Sequence, residues 1–255
     1  MKGVEFNLNN HPKNGRRKSD LDPFQKGLIK KTRKYNEKKR LGDEFEEKIC
    51  NLLRKEFSDD VVISDVIFES GNYIETLKVY ESLQMDILLV TSVGLFCIEA
   101  KWISNAKYAR LSGGALSKHW TLKTIKGTRN SENNGLKQNY RHIQFLREVF
   151  NQEKINCPVY QITVIGDLNR EKIAVQQFID ANLVTFDEIV DRVKYIKQRN
   201  KKKKVDVKRI KRILNDWKCT VPGSEILHIV YVRNIEKKKL PKRCKKKMRT
   251  WELES

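Results

Sequence analysis

Two apolar runs joined by a short polar segment constrain the fold of this chain more than any other feature. The first run is Met85–Val90 and the second is Leu95–Trp102, and residues 91–94, Thr-Ser-Val-Gly, lie between them. Apolar runs of this length on either side of a break that contains glycine predict a β-hairpin. The chain should therefore contain a buried antiparallel strand pair near its middle.

Three charged residues interrupt this apolar hairpin. Asp86 opens the first strand, and Glu99 and Lys101 lie near the end of the second. An unpaired buried charge costs several kcal/mol, so charges at these positions need a reason. Side chains alternate along a strand, which places Glu99 and Lys101 on the same face. Two acids and a lysine at one sheet edge can hold a divalent metal and position a water, and the alternative is a structural ion pair.

The positive charge of the chain is concentrated at its two ends. The net charge is +21, of which residues 1–40 carry +9 and residues 194–255 carry +16, whereas residues 41–193 carry −4. Basic flanks on a weakly acidic middle indicate a polyanionic partner, most often nucleic acid. Lysine runs can also be solubilising tails, but four separate runs favour nucleic acid: 16–18, 201–204, 237–239 and 245–247. A membrane surface is less favoured, because no basic run accompanies a clear apolar helix face.

Length and composition limit the class of protein. The chain has 255 residues, enough for one domain with extensions or two small domains, and 39% of them are hydrophobic, enough for a core. No apolar run approaches the length of a membrane span and no N-terminal signal is visible, so a cytoplasmic location is expected. The five cysteines are scattered without a Cys-x-x-Cys pair, which predicts neither a disulfide framework nor a zinc ribbon.

The order of predicted elements is typical of an α/β fold. Besides the hairpin strands (83–90 and 95–102), the patterns predict helices at 35–57, 136–152 and 186–198 and strands at 61–68, 159–165 and 183–184. Residues 69–82 are ambiguous and could hold another strand with a turn at Gly71-Asn72, while residues 103–135 are expected to be rich in loops. We predict a basic, poorly ordered arm at 1–34, a domain at 35–198, and a lysine-rich extension at 199–255 with a helix near 207–217 and a strand at 225–232.

The order of these motifs resembles the PD-(D/E)XK nuclease superfamily, and the finer pattern resembles its nuclease-related (NERD) branch. The opening helix with Glu46 and Ile49, the strand with Met85-Asp86, and the strand with Glu99-Ala100-Lys101 after Gly94-Leu95-Phe96 fit that pattern. Trp120 fits the downstream tryptophan of the family, and Gln138 and His142 fit its helix with Gln and His one turn apart. The resemblance covers roughly residues 41–197.

The resemblance implies a restriction-endonuclease-like core, a central mixed sheet flanked by helices, here with basic N- and C-terminal extensions. It implies that Mg²⁺, or Mn²⁺, is held by Asp86, Glu99 and the backbone carbonyl of Ala100. Mg²⁺ prefers oxygen ligands and keeps several waters, so this donor set is sufficient. Lys101 would orient the attacking water or stabilise charge on the phosphate.

Other candidate residues have a structural reading beside the functional one. Helical geometry makes Glu46 the acid of its helix nearest the apolar stripe. The resemblance implies a metal or second-sphere role for it, and the alternative is a boundary glutamate paired with a lysine. The resemblance implies that Gln138 contacts phosphate or water. His142 is either part of the site or a hydrogen-bonded core histidine. Trp120 and Trp102 could stack on bases, although core packing is the expected role of Trp102.

The leading hypothesis is a metal-dependent nuclease that acts on DNA in preference to RNA, with basic flanks that grip the backbone. Alternatives are a non-catalytic nucleic-acid-binding module on a nuclease-like fold, and an RNA- or ribosome-associated protein whose tails supply most of the affinity. No Gly-x-x-x-x-Gly-Lys-Ser/Thr motif is present, so a helicase would have to be a separate partner.

Overall fold

The computed structural model describes residues 37–75, 79–115, 117–175 and 182–220, together with residues 224, 228, 231 and 232. The predicted arm at 1–34 and the lysine runs beyond residue 232 lie outside the described residues. The described part falls into two compact units. The larger consists of residues 36–64 and 85–211, and the smaller is drawn from residues 65–84 and the segment that begins at 212.

The elements follow the predicted order, with four additional strands: three between residues 108 and 133 and a short one at residues 173–175. The helices are α1 (Glu37–Glu56), α2 (Gly135–Gln152), α3 (Ile189–Arg199) and α4 (Val207–Trp217). The strands are β1 (Val61–Ile74), β2 (Val79–Thr91), β3 (Gly94–Trp102), β4 (Tyr108–Gly113), β5 (His119–Thr124), β6 (Arg129–Asn133), β7 (Val159–Gly166), β8 (Ile173–Val175) and β9 (Leu183–Thr185).

A mixed five-stranded sheet is the frame of the fold, in the order β1-β2-β3-β7-β9. β2 pairs with β3 antiparallel, as the hairpin prediction requires, while β3 pairs with β7 and β7 with β9 in parallel. The apolar stripe of α1, including Phe45, Ile49 and Leu53, packs with Ile87 and Ile98 in the largest core cluster. The predicted α/β class with a mixed sheet and flanking helices is confirmed.

Residues 103–135 correct the sequence prediction, because they hold three strands instead of being mostly loop. β4, β5 and β6 join β8 in a second sheet of order β6-β5-β4-β8. A glycine turn joins β5 to β6: Gly127 has φ +86°, and the Thr124 N–H donates to the Thr128 carbonyl at 2.8 Å. One face of this sheet is solvated, so its strands lack the apolar run that revealed the hairpin.

The inner face of the second sheet builds its own core. Leu111, Trp120 and Leu122 are at most 2% exposed and cluster with Leu136 of α2 and Ile165 of β7. Packing through α2 and β7 fixes the second sheet within the larger unit.

In the smaller unit, the structure differs from the prediction at two points. β1 runs from Val61 to Ile74, so the possible turn at Gly71-Asn72 lies inside a strand. The predicted strand at 225–232 is wrong where it is described, because residues 228, 231 and 232 are helical. His228 and Tyr231 are three residues apart, so the helix turns both side chains towards β2. His228 Nδ1 lies at hydrogen-bond distance, 2.9 Å, from Ser82 Oγ, and the Tyr231 hydroxyl donates to Glu81 Oε1 at 2.9 Å.

None of the helices in the described part of the chain is long and apolar enough to span a bilayer.

Candidate active site

Asp86 lies where the pairing between β2 and β3 ends. The antiparallel register runs from Thr91 opposite Gly94 to Ile87 opposite Ile98. Immediately beyond, the backbone N–H of Ala100 donates to Asp86 Oδ2 at 2.8 Å. A carboxylate thus takes the position that a strand carbonyl holds in a regular ladder, and this hydrogen bond fixes the side chain of Asp86 beside β3.

Glu99 and Lys101 share one face of β3, as the alternation predicted. Ile98 belongs to the core on the α1 side, so the neighbouring Glu99 points to the opposite face. Lys101 Nζ lies 2.7 Å from Glu99 Oε1. The two residues pair in register with Thr163 and Ile165 of β7, a central strand, which holds this end of β3 rigid.

Helix α2 covers this face and contacts both charged groups. Gln138 Oε1 accepts a hydrogen bond from Lys101 Nζ at 2.9 Å. One turn further on, His142 Nδ1 lies 3.5 Å from Glu99 Oε2. The structure therefore brings Asp86, Glu99, Lys101, Gln138 and His142 together, and the lysine is held between an acid and an amide oxygen.

The start of α2 is built so that the helix can approach Lys101. Asn134 caps the helix, because its side-chain oxygen accepts from the N–H groups of Leu136 and Lys137 at 3.0 and 3.2 Å. A Cβ on the next residue, Gly135, would lie 3.2 Å from Lys101 Cγ. Glycine at this position leaves room for the lysine stem against the first turn.

The site concentrates negative charge in a dry environment. Asp86 is 8% exposed and Glu99 is 1% exposed. Burial, followed by the charges of Glu99 and Glu46, raises the pKa of Asp86 well above its usual range. Burial also raises the pKa of Glu99 although Lys101 opposes it, whereas the two carboxylates outweigh burial and raise the pKa of Lys101. The lysine is therefore held as an ammonium ion.

Two further acids act on this centre through their charge. Glu46 of α1 is half-buried while Glu44 and Glu47 are exposed, which agrees with the helical geometry that singled it out. The Glu46 charge contributes to the raised pKa of Asp86. Glu132 of β6, which the sequence did not single out, contributes to the raised pKa of Lys101 after burial, Glu99 and Asp86.

The donor set suits a hard cation with incomplete protein ligation. Both oxygens of Glu99 are buried; Oε1 lies 2.7 Å from Lys101 Nζ and Oε2 lies 3.5 Å from His142 Nδ1. Within the described ranges, no three His, Cys, Asp or Glu side chains are grouped as ligands of one ion. Asp86, Glu99 and the Ala100 carbonyl offer oxygen donors, the ligand type that magnesium prefers.

The aromatic candidates pack in cores. Trp120 is 0% exposed, so stacking on a base is excluded in this conformation and its role is to fill the core of the second sheet. Trp102 packs against Phe45 with ring centroids 5.5 Å apart, the core role expected for it.

Asn139 is the residue of this region that sequence reasoning missed most clearly. It is fully buried in α2, and its Nδ2 donates to the carbonyls of Cys97 in β3 and Ile162 in β7 at 3.1 and 2.7 Å. An asparagine on an apolar helix face was the available signal, since a buried amide needs partners. Asn139 ties α2 to the two strands that carry the site.

Comparison with known proteins agrees with this geometry. The family model described as the nuclease-related domain (NERD) matches residues 41–166, from the start of α1 to the end of β7. No curated protein and no solved structure gave a significant match to the chain. The matched region contains Glu46, Asp86, Glu99, Lys101 and Gln138. Residues 41–166 of this chain are accordingly similar to the nuclease-related domain, which suggests a nuclease-related function.

Proposed function

We propose that this protein is a metal-dependent nuclease that hydrolyses phosphodiester bonds, with DNA as its main substrate. The observation that carries the proposal is the cluster of Asp86, Glu99 and Lys101, in which two buried acids adjoin an ammonium group at the open end of a strand pair. Buried acids with raised pKa values beside a lysine are typical of functional sites. The family match to residues 41–166 supports the same class of reaction.

Each residue has a stated part in the proposed reaction. Asp86, Glu99 and the Ala100 carbonyl would hold Mg²⁺ or Mn²⁺, which when bound supplies Lewis acidity towards the phosphoryl oxygens. The Lys101 ammonium would orient the attacking water or stabilise charge on the phosphate. Gln138 would hold Lys101 through their 2.9 Å hydrogen bond.

Glu46 would act on this centre through its charge or through a metal-bound water. His142 would set the orientation of Glu99, because its Nδ1 faces Oε2 at 3.5 Å. Both roles are secondary, and both predict weaker effects than loss of Glu99 or Lys101.

A cleavage assay on circular, linear and single-stranded DNA and on RNA, with Mg²⁺ or Mn²⁺, tests the proposal. We expect Glu99→Gln and Lys101→Ala each to lower the rate roughly 100-fold or more, the usual effect of removing a group that acts in the chemical step. Glu47→Gln, which changes an exposed glutamate of α1, is the matched control and should cleave at the wild-type rate. Wild-type protein that degrades none of these substrates with either metal would contradict the proposal.

The alternative function, a nucleic-acid-binding module without catalysis, is favoured by the net charge of +21. It predicts binding that weakens steeply with salt, since each neutralised phosphate releases counterions. Binding would then be equal in wild-type protein and Glu99→Gln, with no cleavage by either.

A further inference from the structure

The outward face of the second sheet carries an unusual set of side chains. On its inner face, Leu111, Trp120 and Leu122 lie in the core. Side chains alternate along each strand, so the intervening residues of β4, β5 and β6 point outward. These outward residues are Arg110, Ser112, His119, Thr121, Lys123, Arg129, Ser131 and Asn133. None of them is acidic, although residues 41–193 as a whole are weakly acidic.

Three of the outward residues form one cationic row across three strands. Arg110 of β4 pairs in register with Lys123 of β5, and Lys123 pairs with Arg129 of β6. All three are exposed. Direct cross-strand partners have Cβ atoms roughly 5 Å apart, so the three cations stand side by side.

No acid of the described chain neutralises this cationic row. Its three members take part in none of the ion pairs between described residues. Like charges directly opposite each other destabilise a sheet. A row that costs stability and has no internal counterion suits an external anion.

A second row beside the cations consists of hydroxyl groups. Thr121 pairs in register with Ser112 and with Ser131, two residues along each strand from the cationic row. Serine and threonine hydroxyls, with arginine and lysine, are the side chains that most often contact nucleic-acid phosphates. Cations and hydroxyls in adjacent rows therefore match a phosphodiester backbone better than a single small anion.

The face ends close to the candidate active site. Thr121–Ser131 is followed by the pair His119–Asn133, and Asn133 precedes the cap residue Asn134. At the next position, Gly135, a Cβ would lie 3.2 Å from Lys101 Cγ. A backbone held on this face would thus leave the sheet beside the group proposed to act on phosphate.

We propose that the outward face of β4, β5 and β6 is a docking surface for the backbone of double-stranded DNA. The proposal rests on the proposed nuclease function for its substrate, and it assigns grip on that substrate to the domain itself in addition to the basic flanks. Contacts are to phosphates, so binding through this face carries no sequence preference.

A binding measurement without catalysis tests the face directly. The triple variant Arg110→Gln, Lys123→Gln, Arg129→Gln in the full chain is titrated with a fluorescent 20-base-pair DNA duplex in EDTA. The matched control is Lys48→Gln, Arg54→Gln, Arg147→Gln, which removes the same charge from exposed helix positions. At roughly 0.1 M salt we expect the triple variant to bind about tenfold more weakly than the control or worse, with a salt dependence shallower by up to about three units.

A single charge reversal separates docking from a structural role. Lys123→Glu places an acid between Arg110 and Arg129, so the free protein should unfold at a higher temperature while its affinity for the duplex falls. A lower unfolding temperature would contradict the argument that the row is under repulsion. Equal affinities of the triple variant and its control would overturn the proposal, as would weakening confined to RNA.

These outcomes are independent of cleavage. If wild-type protein cuts no nucleic acid but the triple variant loses affinity, the nuclease function fails and the docking face stands. If cleavage depends on Glu99 but the triple variant binds and cuts as the control does, the docking face fails alone.

Discussion

The buried carboxyl of Asp86 lowers the stability of the metal-free fold at neutral pH. It is nearly buried, and two other carboxylates, those of Glu99 and Glu46, act on it. Some carboxyls have a higher pKa in the folded state than in the unfolded chain. The contribution of such a group to the free energy of unfolding is complete only below its unfolded pKa, near 4. That contribution is lost as the pH rises through the folded pKa, when the acid must ionise beside its neighbours.

Replacing Asp86 should therefore stabilise the metal-free protein at neutral pH. Asp86→Asn keeps an oxygen that can accept from the Ala100 N–H and removes the charge. We expect a gain on the order of 1–3 kcal/mol at pH 7–8 that shrinks towards pH 4. Urea unfolding across this pH range in EDTA measures it, and Asp59→Asn, at an exposed position, should leave the pH dependence as in wild type. A variant less stable than wild type at every pH would contradict the argument.

At the residue scale, local rules located the charged residues but not their supports. Strand alternation placed Glu99 and Lys101 on one face, and helical geometry separated Glu46 from Glu44 and Glu47. The roles of Asn139 and Gly135 were not predicted, because their partners are distant in the sequence. The partners of Asn139 are 23 and 42 residues away, and those of Gly135 are 28 or more residues away. Such nonlocal contacts leave no local pattern.

At the scale of elements, strong periodicity decided what could be predicted. The helix containing Glu46, the apolar hairpin and α2 were all predicted close to their observed bounds. β4, β5 and β6 were missed because they are five or six residues long, solvated on one face and separated by glycine turns. The β-branched residues near position 228 predicted a strand, although such residues also occur in helices. Tertiary contacts favour the helix at this position.

One buried amide contributes two hydrogen bonds to the attachment of helix α2 to the sheet. Asn139→Ala removes both hydrogen bonds to the β3 and β7 carbonyls and leaves a cavity, so we expect a loss of about 2–4 kcal/mol in the free energy of unfolding. The exposed α2 position Arg147→Ala should change it by less than about 0.5 kcal/mol. Denaturant unfolding compares the two, and equal stabilities would show that the amide does not anchor the helix.

At the scale of the whole molecule, the lysine run at 201–204 and the candidate site lie at opposite ends of β3. The run Lys201–Lys204 is exposed, and the next residue, Val205, donates to the Ser92 carbonyl in the β2–β3 turn at 3.0 Å. Glu99 and Lys101 lie at the other end of β3, roughly 20 Å away at about 3.3 Å per residue. The summed charge of the sequence predicted a polyanion partner. Only the fold shows that the lysine run is distant from the site, whereas the cationic row lies on the sheet that leads to it.

This separation predicts that the contribution of the lysine run depends on substrate length. Neutralising all four lysines to glutamine should weaken binding to a duplex of several hundred base pairs and make its salt dependence shallower by up to about four units. Cleavage of a hairpin with a 4-base-pair stem bound at the site should be unchanged, because at about 3.4 Å per base pair the stem spans only about 14 Å and does not reach both ends. An equal loss of cleavage on both substrates would contradict this division.

The hydrogen bond from Ala100 to Asp86 gives the site its own spectroscopic probe. Most amide protons of β3 point to carbonyls of neighbouring strands, whose charge is constant, but this one points to a carboxylate. Its proton resonance will move when Asp86 gains a proton or a cation. A ¹⁵N–¹H spectrum therefore reports the occupancy of the site from a single backbone position, in the absence of substrate and without an engineered label.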